Sequence, residues 1–371
     1  MTRRKTKVIK VGSVKIGGTN PVRIQSMAKT DTRDTKKTIA EVRRLEKAGC
    51  EIARVAVKDM LAARAIKIIK RKINIPLVAD IHFDFRLALE AIKNGADKIR
   101  VNPGNTSKSS ELKEIIESAK SRKIPIRIGL NSGSICLTGR RRPERPPKGR
   151  VRKAGLFAGT ALEYIKLFER ENFRDIIVSL KSSDVRETVE SYRTLSALCD
   201  YPFHLGVTAA GPYDTGIVKS SIGIGALLLD GIGDTVRVSL TGDPVEEVIA
   251  AKKILQAIKL RTFAPDIISC PACGRSQVDL RKTVRDLERR LTTCGPKLAA
   301  KRRLTIAIMG CEVNGPGEAK VADIGIAFGK TSGVLFKKGK VVKKVKAKEA
   351  VKELLSSLRA PTKSGRSNLL P

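Results

Sequence analysis

Eight times between residues 22 and 260 the chain repeats one pattern: a short apolar run, a polar turn, then a segment with helical spacing of its apolar residues. The runs lie at 22–27, 51–57, 76–80, 97–102, 125–130, 175–180, 203–208 and 235–240. Helical segments follow them, among them 34–48, 60–71 and 244–260. Alternating strands and helices build a parallel sheet with helical crossovers, and eight units are the number that closes a (β/α)8 barrel, the TIM barrel. An open doubly wound sheet competes with it. No glycine-rich dinucleotide fingerprint follows the first strand, which weighs against that arrangement. The expectation is an α/β chain whose residues 1–262 form the barrel.

Beyond residue 262 the pattern changes. A cysteine motif follows 263–268, then a charged helix near 278–291, strands at 304–309 and 324–328, and a lysine-rich strand and helix. This reads as a smaller α/β domain over 263–360, with a disordered tail at 361–371. Inside the barrel half, 136–153 is rich in proline and arginine and reads as a basic loop.

Barrel strands turn alternate side chains inward, and chemistry sits at their C-terminal ends. Those ends are polar here. Asp80 and His82 share a face on the third strand, Arg100 and Asn102 on the fourth, and Arg127 and Asn131 on the fifth. Ser179 and Lys181 follow on the sixth and Arg237 and Ser239 on the eighth, while Arg54 sits within the second and Gln25 near the end of the first. Four arginines and a lysine thus converge on one mouth. Burying such charges without a partner is costly, and guanidinium forks match phosphate oxygens, so the set predicts a bound diphosphate. Asp80 is the one carboxylate evidently placed to neutralise any of them. His204 reads as a satisfied core histidine.

The second half carries Cys270-Pro-Ala-Cys273 and, downstream, Met309-Gly-Cys311-Glu-Val-Asn-Gly-Pro-Gly-Glu318. A lone C-x-x-C fits a redox dithiol, zinc or iron–sulfur. A third cysteine before a Gly/Pro-rich turn favours a metal, and Cys294 is the one further thiol there that would complete four. Cys50, Cys136 and Cys199 read as ordinary thiols.

Composition separates the function classes. Lys and Arg number 74 against 37 acids, a formal charge of +37. Aromatics are 4% with no Trp, and the charge is spread along the chain, which argues against nucleic-acid binding as the main role. The excess reads as a solvated basic surface that can steer a polyanionic substrate or an acidic electron donor. No apolar run of about 18 residues spans a membrane, and no apolar core follows the basic start MTRRKTKVIK. A cytoplasmic chain with reduced cysteines is expected.

The motifs RVAV from Arg54, VADIHF from Val78, KIRVNPGN from Lys98, RIGLNSGS from Arg127 and SLKSSD from Ser179 occur in that order. HLGVTAAGP from His204, KSSIGIGALLLDGIGDTVRVSLTGDP from Lys219, ISCPACGR from Ile267 and MGCEVNGPGEA from Met309 continue the series. Over nearly its whole length the chain resembles the bacterial 4-hydroxy-3-methylbut-2-enyl diphosphate synthases. That resemblance implies a TIM barrel for substrate and a C-terminal domain holding a [4Fe–4S] cluster on Cys270, Cys273, Cys311 and Glu318. A carboxylate is a weak ligand that can leave and open its iron. The implied reaction is the two-electron ring opening and dehydroxylation of 2-C-methyl-D-erythritol 2,4-cyclodiphosphate, fed by ferredoxin or flavodoxin. Arg54, Arg100, Asn102, Arg127, Lys181, Arg237 and Ser239 would bind substrate, with Glu318, His82 and Asn131 catalytic. One departure stands out: the family's HLGVTEAG reads HLGVTAAG, so Ala209 replaces a glutamate.

A homodimer with shared sites is expected as well. The last barrel helix ends at the face opposite the mouth, and the few residues from there to Cys270 span roughly 30 Å when extended. A two-fold partner presents its cluster without that climb, and the resemblance implies the same. Two other classes compete: a zinc- or dithiol-dependent oxidoreductase acting on a phosphorylated sugar, and a basic nucleic-acid-binding protein with a structural metal.

Overall fold

The structure is a computed structural model that describes residues 2–82, 84–102, 109–132, 150–293, 304–311, 317 and 322–359. Two compact units divide the chain, Met1–Arg261 and Thr262–Pro371.

In the first unit the expected alternation is present. The strands are β3 (Arg23–Met27), β4 (Ile52–Val57), β5 (Leu77–Ile81), β6 (Lys98–Val101), β7 (Ile126–Asn131), β8 (Ile176–Lys181), β9 (His204–Leu205) and β10 (Thr235–Val236). Helices α1 (Thr35–Ala48), α2 (Met60–Lys70), α3 (Phe85–Lys93), α4 (Ser109–Ser121), α5 (Arg150–Arg170), α6 (Val185–Ser196), α7 (Tyr213–Leu229) and α8 (Pro244–Ala257) follow them in turn. All ladders among these strands are parallel, in the order β8-β7-β6-β5-β4-β3-β10-β9. A parallel bridge from Val178 to Phe203 joins the two ends and closes the barrel.

Local chemistry explains where the helices begin. Asp34, Asp59, Asp84, Asp184 and Asp243 each accept a backbone N–H of the first turn they precede. Pro244 occupies the first turn of α8, where its missing N–H costs nothing. Gly49, at φ 96°, ends α1 in the left-handed conformation that a β-carbon disfavours.

Two features depart from the sequence reading. The seventh and eighth strands form ladders only two residues long, although the backbone continues beside its neighbours: Arg237 N–H donates to Leu205 O at 3.0 Å, and Thr208 N–H to Ser182 O at 3.1 Å. Gly206 permits this close approach, because a β-carbon there would lie 2.4 Å from Arg237 O. A hairpin also precedes the barrel, β1 (Ile9–Val11) and β2 (Val14–Ile16), turning at Gly12. Its Ile9, Val11 and Ile16 pack on Ile52, Val78 and Ile177 and plug the N-terminal end of the barrel. Three-residue strands with two apolar contacts apiece are too short to show a period.

The second unit is a five-stranded sheet, β11 (Asp266–Ser269), β12 (Thr305–Met309), β13 (Ile324–Phe328), β14 (Ser332–Lys337) and β15 (Lys340–Lys346), in that order. Its first three strands are parallel and its last two antiparallel. Helices α9 (Leu280–Thr293) and α10 (Ala350–Arg359) cover one face through Leu287, Leu291, Leu354 and Leu358, which pack on Ile306, Ile324, Ile326 and Phe328. No helix among the described residues is long and apolar enough to cross a membrane.

Candidate active site

The period-two alternation of parallel strands aims one set of side chains into the barrel, and the C-terminal ends deliver Arg54, Arg100, Arg127, Lys181 and Arg237 to one cavity of about 60 Å³. Asn131, Ser179, Thr208 and Ser239 complete its wall. The sequence-predicted Asn102 is buried beside this set, with its Oδ1 unpartnered among the described residues. His82 stands at the rim, 42% exposed.

Asp80 organises one side of the mouth. It accepts from Arg54 Nη2 at 2.6 Å, Arg100 Nη1 at 3.2 Å and His82 Nε2 at 3.1 Å. Burial would raise its carboxyl pKa, but Arg54, His82 and Arg100 together hold it well below the usual range. Arg100 also donates to Gly129 O at 2.9 Å, and a β-carbon on Gly129 would meet Arg100 Nε at 2.4 Å, so the glycine makes room for the guanidinium.

A second carboxylate escaped the sequence reading. Glu247, in the first turn of α8, is buried and reaches Arg237 Nε at 3.5 Å and Lys29 Nζ at 3.3 Å. It also accepts from Ser26 Oγ at 3.1 Å and the Leu240 N–H at 3.2 Å. Asp80 is therefore not the one carboxylate of the set. The available signal was a second glutamate after Asp243-Pro244, on the face of α8 that must bury. Even so, Arg127 Nη1 and Lys181 Nζ have no hydrogen-bond partner among the described residues. Burial first, and then the neighbouring guanidinium groups, push both far below their usual pKa values. Arg100 is lowered to about 10, by burial above all. A site in this condition is built for an anion.

His204 is a further correction. Its Nδ1 lies 2.8 Å from Thr235 Oγ1, but its Nε2 is unpartnered among the described residues, so it is half satisfied within the barrel interior.

In the second unit, β11 and β12 are parallel neighbours, with Ser269 opposite Ile308, so Cys270 and Cys311 leave the same edge of the sheet. The Gly310 N–H donates to Cys270 Sγ at 3.3 Å. A β-carbon on Gly310 would lie 2.6 Å from Ser276 Oγ and 3.4 Å from Cys270 Sγ, so the glycine lets the two loops meet. Ala272, at φ 52°, turns the first loop, and Cys273 is exposed. The Arg275 backbone N–H lowers the Cys273 thiol pKa, and the Arg275 side chain adds to the effect. Such N–H···S bonds favour thiolates at Cys270 and Cys273, the ligand chemistry a thiolate-held group requires. No three metal-binding side chains converge among the described residues. Glu318, Cys294, Cys136 and residues 136–149 lie outside those residues, as does 361–371; residues 150–153, expected in the basic loop 136–153, instead open α5. Cys50 is buried and Cys199 half-buried.

Residues 6–252 match the GcpE TIM-barrel domain, and residues 266–360 match the GcpE protein C-terminal domain. The chain belongs to the GcpE family. It is 50% identical to the 4-hydroxy-3-methylbut-2-en-1-yl diphosphate synthase (flavodoxin) of Caldanaerobacter subterraneus subsp. tengcongensis, over 97% of this chain and 98% of that one. The synthase of the same name from Caldicellulosiruptor saccharolyticus is 52% identical over 95% and 98% of the two chains. Among solved structures, dihydropteroate synthase from Stenotrophomonas maltophilia superposes with a TM-score of 0.51 at 14% identity. That match covers 68% of this chain and 98% of the other, and it speaks to the barrel fold alone.

Proposed function

We propose that this GcpE-family chain opens the ring of 2-C-methyl-D-erythritol 2,4-cyclodiphosphate reductively and yields 4-hydroxy-3-methylbut-2-enyl diphosphate. Two electrons and two protons enter, the ring C–O bond breaks, and one hydroxyl leaves as water. The observation that carries this reading is the set of five cations lining one cavity, two of them without a hydrogen-bond partner among the described residues. The names of the relatives support it.

Arg54, Arg100, Arg127, Lys181 and Arg237 hold the diphosphate, and Asn102, Asn131 and Ser239 orient it through neutral hydrogen bonds. Asp80 fixes the His82 ring at the rim, where the imidazole can pass a proton to the leaving oxygen. Asn131 lines the same cavity and can hydrogen-bond the reacting part of the substrate. Cys270, Cys273, Cys311 and Glu318 are the ligands for a [4Fe–4S] cluster, which supplies the electrons one at a time when bound. Flavodoxin is the electron donor, as the names of the relatives suggest, and ferredoxin is the substitute of like chemistry. Barrel over 1–262 and cluster domain over 263–360 divide these tasks, in a cytoplasmic homodimer whose sites are shared between chains.

Anaerobic purification tests the chemistry. Iron and sulfide in near-equal amounts, with turnover of the cyclodiphosphate on reduced flavodoxin, are expected; zinc without sulfide would sink the reading. Glu318→Ala should keep a cluster yet lose most turnover. For the dimer, mixing Cys270→Ala chains with Arg237→Ala chains under subunit exchange should restore activity. No recovery would place each site within one chain.

A further inference from the structure

The interior of a TIM barrel is ordinarily filled by layers of branched apolar side chains. One step deeper than the mouth, this barrel keeps that rule on β4, β5 and β8, with Ile52, Val78 and Ile177. It breaks the rule on β3, β6, β9 and β10, where Gln25, Lys98, His204 and Thr235 are buried. Lys98 is the most costly of these. It is fully buried, and its Nζ approaches Gln25 Oε1 at 3.5 Å, the long limit of a hydrogen bond. The charged groups acting on it are Arg127 from β7 and Arg54 from β4, both cationic. His204 on β9 feels Lys98 in turn, together with Lys181, Arg127 and Arg54. The buried carboxylates among the described residues are occupied elsewhere, Asp80 by Arg54, Arg100 and His82, Glu247 by Arg237 and Lys29, and Asp234 by Arg3.

An ammonium in that position has no carboxylate partner among the described residues. Burial, then Arg127 and Arg54, hold its pKa far below the usual value. A diphosphate in the mouth lowers the positive potential one layer below it. Its negative charge offsets the very guanidinium groups that repel a proton from Lys98.

We propose that Lys98 takes up a proton from solvent when a polyanion enters the barrel mouth, so that part of the positive charge gripping the anion is created by binding itself. This rests on the diphosphate-binding reading above. It makes Lys98 a positioning residue that acts through the arginines. By linkage, if the anion strengthens proton binding at Lys98, the proton strengthens anion binding by the same factor. Affinity is then highest at low pH and falls as pH rises from the pKa of Lys98 in the free protein to its higher pKa in the complex. Relative to a barrel with permanent charge, the empty protein is spared the repulsion of a sixth buried cation.

The test is calorimetric titration of the intact, anaerobically prepared protein with inorganic diphosphate, in two buffers of different ionisation enthalpy. Diphosphate titrates too, so the informative quantity is the difference between wild type and variant, from which the ligand's own protons cancel. Wild type should take up about one proton more per diphosphate than Lys98→Met, and between the pKa of Lys98 in the free protein and its higher pKa in the complex the affinity should fall about tenfold more per pH unit. Lys98→Gln should behave like Lys98→Met and covers the case in which the methionine variant fails to fold. Lys98→Arg, with a charge that solvent cannot remove at these pH values, should bind with no such uptake and keep its affinity at high pH. Equal proton counts in wild type and all folded variants would overturn the proposal while leaving the diphosphate reading intact. Failure of wild type to bind diphosphate would overturn both.

Discussion

At the barrel mouth, Arg127 and Lys181 are buried without a hydrogen-bond partner among the described residues; at the ends of β11 and β12, Cys273 is exposed and Cys270 and Cys311 are half-buried. The first region is positioned by the fold itself. Its side chains stand on strands whose ladders fix their spacing, and Asp80 and Glu247 pin three of the arginines in place. The second region places its sulfurs on loops, guided by a few N–H···S contacts, and leaves their final convergence to the group they bind. One site is organised by the fold, with charges that a bound anion would neutralise. The other, in the proposed reading, would be completed by the cluster it holds.

Cys270→Ala should separate the two regions most sharply. Loss of one of three thiolates is expected to abolish cluster assembly, seen as loss of iron, sulfide and visible absorbance. Diphosphate affinity at the barrel should stay within about a factor of two, a change of roughly 0.4 kcal/mol. A retained cluster, or a barrel that stops binding diphosphate, would break the comparison.

Asp80→Asn removes the carboxylate that neutralises Arg54 and Arg100. Breaking a buried pair in this way costs on the order of 3–5 kcal/mol, which a lowered urea midpoint of the anion-free protein would report. The pH dependence follows from the same contacts. The folded carboxyl is depressed below its unfolded value, so its stabilisation is present above about pH 3.9 and is lost as pH falls through the folded value. Wild type should lose that contribution on acidification, whereas Asp80→Asn has none to lose. Equal acid sensitivity in both proteins would show that Asp80 is not the group responsible.

Arg127→Met should act in opposite directions on binding and stability. Charge-assisted hydrogen bonds contribute roughly 1.5–3 kcal/mol, so diphosphate affinity should fall by about one to two decades. The anion-free protein should become more stable, because a buried cation among cations is replaced by an apolar chain of similar length. A variant that is both weaker in binding and less stable would mean that Arg127 also holds the barrel together.

The barrel site was the more legible of the two in the sequence, and the reason is geometric. A period of two and the rule that chemistry sits at strand C-termini suffice to bring Arg54, Arg100, Arg127, Lys181 and Arg237 together from five separate strands. Glu247 was hidden because it reaches the mouth from a helix, whose period says which face is buried but not which strand residue it meets. Lys98 and His204 were hidden for a different reason. The alternation shows that they point inward, but depth along a strand, and the absence of a counter-charge at that depth, emerge only from three-dimensional packing. In the second unit the spacing of Cys270, Cys273 and Cys311 is legible as the metal motif proposed above, whereas the approach of the two loops depends on Gly310, a residue with no side chain to mark it.

The smallest expected effect concerns Ala209, where the family's glutamate is missing. Ala209 is exposed, next to Thr208 on the cavity wall, and its backbone is left-handed at φ 47°. Exposure leaves room for a longer side chain, and a glutamate suffers the same backbone strain as the alanine, so Ala209→Glu should fold without loss of stability. From the rim its carboxyl can lean over the mouth, where Arg237 and Lys181 would favour its ionised form. In the proposed reading His82, held by Asp80, already serves as the proton donor at that rim. An added acid therefore shares a task rather than supplying a missing one. Turnover should rise only a few-fold, a barrier change under about 1.4 kcal/mol. The gain should be largest at low pH, where the new carboxyl is protonated, and should vanish as pH rises through its pKa. Steady-state rates of Ala209→Glu and wild type across that range are the measurement. A rise of a hundredfold or more would show that proton delivery limits this enzyme and that His82 does not perform it; identical profiles would show that position 209 lies outside the proton path.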